Sequence, residues 1–160
     1  MAKASVKTNA MRILEREGIS YRVHEYPHEE GKAVDGEKVA ELLSQEPGTV
    51  FKTLVTRGQE GCYVFAVPVD KELDLKKAAR AAGVKSVSMV PVKELFSLTG
   101  YVRGGCSPIG MKKTFPTYFD QSILGFGTVM VSGGKIGCQV ELAPEDLLKA
   151  SKAGTADLTL

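Results

Sequence analysis

A chain of 160 residues, 43% hydrophobic and 25% charged, has the make-up of an ordinary soluble globular protein and the length of one domain. Such a domain buries roughly two thirds of its unfolded surface. The net charge of +2 is too slight to argue for nucleic acid, yet it would not repel a polyanion that met a local basic face. No apolar run reaches the length of a membrane span and the N-terminus lacks the apolar core of a secretory signal, so no membrane contact and a cytoplasmic location are expected.

Residues 8–17 read as a short amphipathic helix, capped by Thr8 and closed by Gly18, with Ile13 and Leu14 on its apolar side. Ile19, Tyr21 and Val23 then alternate with polar residues as a half-buried strand. A polar loop follows over 27–35. His24 and His28 stand four apart, but Pro27 between them breaks the helix that a metal pair would need, and no metal is expected. A second helix spans about 37–45, with Val39, Leu42 and Leu43 inward and Asp35 as its cap.

Residues 50–56 and 62–69 form a hairpin around 57–61. Lys52 interrupts the apolar run of the first strand. It is either a lysine snorkelling from an edge or a cation pre-placed in a cavity. Leu75, Ala78, Ala79 and Ala82 fall on one helical face that Gly83 terminates. Residues 84–90 alternate as another strand, and Pro91 opens a helix to about 98.

The densest motif comes next: Gly-Tyr-Val-Arg-Gly-Gly-Cys-Ser-Pro-Ile-Gly-Met-Lys-Lys over 100–113. Glycines turn N–H groups toward one point and let a ligand approach closely, and Lys112 and Lys113 add positive charge. The plainer reading is a tight connection flanked by two solvated lysines. Gly105 and Gly110 have the gap of a phosphate-binding P-loop, but Met111 stands where that loop requires lysine, so a nucleotide triphosphatase is not expected. Strands follow at 117–119 and 128–132, and a two-residue Gly133-Gly134 turn leads into 136–142. A last helix starts at Pro144, and residues from 153 read as a tail. Hairpins are prominent and long βαβ alternation is missing, so the expected fold is a single α+β domain on a partly closed sheet.

No clean nucleophile emerges. Ser107, with His24 as base, lacks a G-x-S-x-G elbow, and Cys106 is a thiolate near Lys112 or a small residue filling a turn. Cys62 and Cys138 sit in strand-like runs as core residues, and the three cysteines show neither zinc nor C-x-x-C spacing. An enzyme built this way works by positioning and backbone hydrogen bonds. Ser132-Gly133-Gly134-Lys135 is a second set of exposed N–H groups or only a hairpin tip.

Four segments together resemble the YbaK/EbsC family: Phe51-Lys52-Thr53-Leu54, Leu73-Asp74-Leu75-Lys76-Lys77, the 100–113 loop and Val131-Ser132-Gly133-Gly134-Lys135. Members are free-standing relatives of the editing domain of bacterial prolyl-tRNA synthetase, and the resemblance runs over about 8–150. It implies one domain over 1–160, a mixed barrel-like β-sheet with surrounding helices, and no cofactor or metal. It further implies deacylation in trans of mischarged Cys-tRNA(Pro), with Cys-tRNA(Cys) also attacked, the substrate's own thiol being the nucleophile. The partner is then the 3′ aminoacyl end of tRNA, with prolyl-tRNA synthetase a candidate second one.

By the same resemblance Lys52 and Gly104 are the catalytic positions: the family's key lysine, and the glycine whose backbone contacts the ester. Tyr26, Thr53, Gly105, Ser107, Ser132, Gly133, Gly134 and Gln139 fall at substrate-binding positions. Gln139 is a departure, because Cys-specific relatives carry aspartate there. Glutamine keeps hydrogen bonding but loses the charge that would pair with Lys52, which leaves the amino-acid preference open. The alternatives are removal of another small amino acid such as alanine by water, or a regulator that binds an aminoacyl-nucleotide without turnover.

Overall fold

The centre of the molecule is a hairpin whose second strand is buried on both faces. In a computed structural model, which describes residues 7–160, β2 (Phe51–Gly58) pairs antiparallel with β3 (Gly61–Pro68). The turn is tighter than the 57–61 loop expected, because Gly58 pairs directly with Gly61 and only Gln59 and Glu60 cross between the strands. Alternation along β3 sends Tyr63, Phe65 and Val67 to one side, into one cluster, and Val64 and Ala66 to the other, where they join two separate clusters.

On the first side lies α3 (Leu75–Ala82), whose Ala78 and Ala79 let the helix approach the sheet. Asp74 caps it by accepting the N–H groups of Lys76 and Lys77, and Gly83 ends it with a positive φ. The five-stranded sheet has the order β4-β2-β3-β5-β8, where β4 is Ser88–Met89, β5 is Thr117–Asp120 and β8 is Ala153–Ala156. The β3–β5 and β5–β8 pairs are parallel and the rest antiparallel.

A second, antiparallel sheet runs β1-β7-β6, from Arg22–Glu25, Cys138–Leu142 and Val129–Ser132. Its inner face packs Val131, Cys138, Val140 and Leu142 against Ala10, Met11 and Leu14 of α1 (Asn9–Arg16). Thr8 caps this helix as expected, accepting the Met11 N–H while its hydroxyl donates to the Gly133 carbonyl. A parallel bridge between Val50 and Met130 joins the two sheets into a partly closed barrel. The α+β expectation holds. Three helices complete the shell: α2 (Gly36–Leu42), α4 (Val92–Thr99) and α5 (Pro144–Ser151). No helix among the described residues is long and apolar enough to cross a membrane.

Several local expectations are corrected. The supposed tail is β8, and beyond it Leu158 is fully buried. Its N–H donates to Asp120, and its carbonyl accepts from the Asp74 N–H. The segment 84–90 contributes only Ser88–Met89, and Pro91, the N-cap of α4 without an N–H of its own, keeps the strand from running on. The first strand is shifted to Arg22–Glu25. Val23, opposite Val140, is 44% exposed because β1 is an edge. The Gly133-Gly134 turn is longer than two residues, since Ser132 pairs with Gln139 and the loop turns through Gly134 and Gly137, both at positive φ. Leu42 is exposed rather than inward, and Asp35 makes no side-chain cap bond.

Candidate functional site

Between the two sheets the barrel opens. Along β2 the register alternates: Val55 and Arg57 turn their backbone groups toward β4, with the Val90 N–H donating to the Val55 carbonyl at 3.0 Å. Thr53 has the same parity, but β4 ends at Met89 before reaching it, and β6 pairs with this edge only through the bridge at Val50, just ahead of β2. The backbone of Thr53 therefore faces a gap. That gap is the mouth of a cleft of about 760 Å³, within the range of small-molecule sites.

Its walls come from four directions. Val50 and the first residues of β2, Phe51 to Leu54, form one side. Ser132 and Gln139, direct cross-strand partners on the outer face of β6 and β7, form another. Tyr26, just past β1, is tied down by its N–H to the Gly137 carbonyl at 3.0 Å. Residues 32–36 close the rim together with Arg103, Gly104 and Cys106 of the glycine loop, which meets them where Gly104 packs against Ala33.

Lys52 is half-buried on this wall and forms no ion pair among the described residues. Two neighbouring polar atoms are orphaned: Thr53 Oγ1 and Gln139 Oε1 are buried without a hydrogen-bond partner. Each such group costs about 1–3 kcal/mol, a cost that a bound ligand relieves. Burial raises the Tyr26 phenol above its ordinary range, while the Gly137 N–H and the Gln139 amide pull the other way.

Of the site residues expected from the sequence, Tyr26, Lys52, Thr53, Gly104, Ser132 and Gln139 meet on this cleft. The other four lie outside its lining. A Cβ on Gly105 would stand 2.8 Å from the backbone of Lys135 and Ile136, so this glycine lets the two loops pack back to back. Ser107 is fully buried, and its Oγ accepts the Ile109 N–H at 3.2 Å. Gly133 donates to the Cys138 carbonyl and Gly134 to Ser132 Oγ, so these N–H groups are turned inward. The Tyr101 hydroxyl donates to the Ile109 carbonyl at 2.6 Å and pins the glycine loop from within.

Cys106 lines the cleft but is 7% exposed, and burial pushes its thiol up to about 12. It is no thiolate at neutral pH, which removes it as a nucleophile. His24 is engaged with Glu141, Nε2 to Oε1 at 2.8 Å, and is not beside Ser107. No cluster of three metal-ligating side chains occurs among the described residues.

Sequence reasoning missed Lys32, Asp35 and Arg103 on the cleft. Arg103 stood within the glycine loop, whose positive charge was sought only in Lys112 and Lys113. Asp35 was taken for a cap.

A mixed barrel of this kind, with a glycine loop facing a lysine across an open seam, has counterparts among known proteins. The chain belongs to the aminoacyl-tRNA editing domain family, whose model matches residues 28–150. It is 47% identical over 158 residues to EbsC of Enterococcus faecalis, named by inference as a Cys-tRNA(Pro)/Cys-tRNA(Cys) deacylase. That match covers 98% of this chain and 96% of EbsC. A crystal structure described, also by inference, as a trans-editing enzyme for prolyl-tRNA synthetase superimposes with a TM-score of 0.84 at 31% identity. It covers 98% of this chain and 99% of that one. The proline–tRNA ligase of Thermosipho africanus is 32% identical over 77 residues, which are 48% of this chain and 14% of the ligase.

Proposed function

We propose that this protein is a trans-editing aminoacyl-tRNA deacylase that removes cysteine from Cys-tRNA(Pro) and Cys-tRNA(Cys). Its family and its near-full-length similarity to EbsC support the reading. The observation that carries it is the cleft, where a half-buried lysine without an ion pair among the described residues, a glycine-loop backbone and two orphaned polar atoms converge.

The cleft holds no activated nucleophile of its own, and a cysteinyl ester brings one. The substrate thiol attacks the ester carbonyl, a C–S bond forms and the C–O bond to the ribose breaks. The thiol proton ends on the departing ribose oxygen, giving tRNA and a cysteine thiolactone. Protein groups need only hold the thiol near the carbonyl and stabilise the developing oxyanion, where one donor is worth ~3 kcal/mol. Lys52 supplies that charge, or holds the terminal phosphate, and Gly104 lets the ester approach the backbone. Tyr26, Thr53, Ser132 and Gln139 shape the pocket, whereas Gly105, Ser107, Gly133 and Gly134 keep its walls in place. The 3′ end of tRNA is the partner, and prolyl-tRNA synthetase is a candidate for delivering it.

Time courses with Cys-tRNA(Pro) and Ala-tRNA(Pro), for the wild type and Lys52→Ala, test the reading. The expected outcome is loss of the cysteinyl ester, slowed at least tenfold in Lys52→Ala with the fold intact. Loss of the alanyl ester alone would move the chain to a water-using branch, and loss of neither would leave a binding protein.

A further inference from the structure

Four charged side chains line the cleft: Lys32, Lys52, Arg103 and Asp35. The three cations suit the phosphates of a tRNA end, but the lone carboxylate does not. Asp35 occupies the position before α2 where an aspartate ordinarily accepts helical N–H groups, yet it makes no such bond. Among the described residues it forms no ion pair either.

From another wall of the same cleft comes Gln139, 6% exposed, with Oε1 unpartnered. The cleft thus offers a negative charge at its rim and a bare acceptor in its wall. A ligand group that carries positive charge and several N–H donors answers both. Every aminoacyl ester has one such group, the α-ammonium next to its carbonyl.

We infer that Asp35 and Gln139 together read the free α-ammonium of the aminoacyl ester, Asp35 supplying the charge and Gln139 Oε1 taking an N–H. The inference rests on the cleft being the ester site. It makes the enzyme selective for a free amine, so that an ester whose amine is acylated, as in formylated or peptidyl-tRNA, is spared.

The test compares Cys-tRNA(Pro) with N-acetyl-Cys-tRNA(Pro), both of which keep the thiol, for the wild type, Asp35→Asn and Gln139→Leu. The wild type is expected to favour the free amine by at least tenfold in kcat/KM. In Asp35→Asn that preference should shrink severalfold, chiefly through a higher KM for the free-amine ester. A merely structural role would slow both esters alike and leave their ratio unchanged, which would overturn the assignment of Asp35. Equal cleavage of both esters by the wild type would overturn the whole inference while the deacylase reading stands. Cleavage of neither would sink the ester site itself, and this inference with it.

Discussion

Gly104 carries two constraints at once. Its φ of +86° is a conformation that side chains rarely adopt, and a Cβ there would stand 2.7 Å from the Cβ of Ala33. Gly104→Ala should cost about 1–3 kcal/mol in stability, read as a lower denaturant midpoint, and should narrow the cleft where residue 33 meets the glycine loop. Ser107→Ala removes only an acceptor for the Ile109 N–H, so deacylation should persist with a stability loss of about 1 kcal/mol. Lys52 was legible in the sequence because a lysine inside an apolar strand breaks the pattern. Lys32, Asp35 and Arg103 were not, since a charged residue in a polar loop looks the same whether it faces solvent or a ligand. Gly133 and Gly134 illustrate the opposite error: a glycine pair advertises free N–H groups, but the Cys138 carbonyl and the Ser132 hydroxyl, both in the same hairpin, take them.

At the scale of elements, periodicity recovered whatever has a sided apolar surface. The capped α1, the β2–β3 hairpin and α3 all repeat every 3.6 or 2 residues and were placed within a few positions. β8 has no such signature. Ala153, Gly154, Thr155 and Ala156 are small or polar, and they are held beside β5 by a parallel backbone ladder that leaves no mark on side chains. The chain reaches that position because Lys152 turns it at the end of α5 with a φ of +55°. Leu158 then locks the strand from beyond, fully buried beneath α3. Leu158→Ala should lower stability by about 2–5 kcal/mol in urea unfolding, as a core leucine would. A residue belonging to a tail would show no change.

At the scale of the molecule, several acidic groups stay protonated because they are buried where two sheets and a loop meet. Burial pushes the Cys106 thiol up to about 12 from 9.0 and the Tyr101 phenol up to about 12 from 10.0. Above pH 9 the unfolded chain sheds protons that the folded chain keeps, so the stabilisation present at pH 8 is lost as pH rises toward 12. Urea midpoints should fall steadily between pH 8.5 and 11 (roughly the window set by those shifts), and the fall should be shallower in Cys106→Ala. The buried Cys106 bears on survival through repeated turnover as well. The thiolactone released in the proposed reaction is an acylating agent, born in a cleft with a cysteine in its wall. A thiolate there would be modified by the enzyme's own product. A thiol that holds its proton to about 12 is a poor nucleophile at neutral pH. Peptide mapping after many turnovers should accordingly find Cys106 free of cysteinyl adducts.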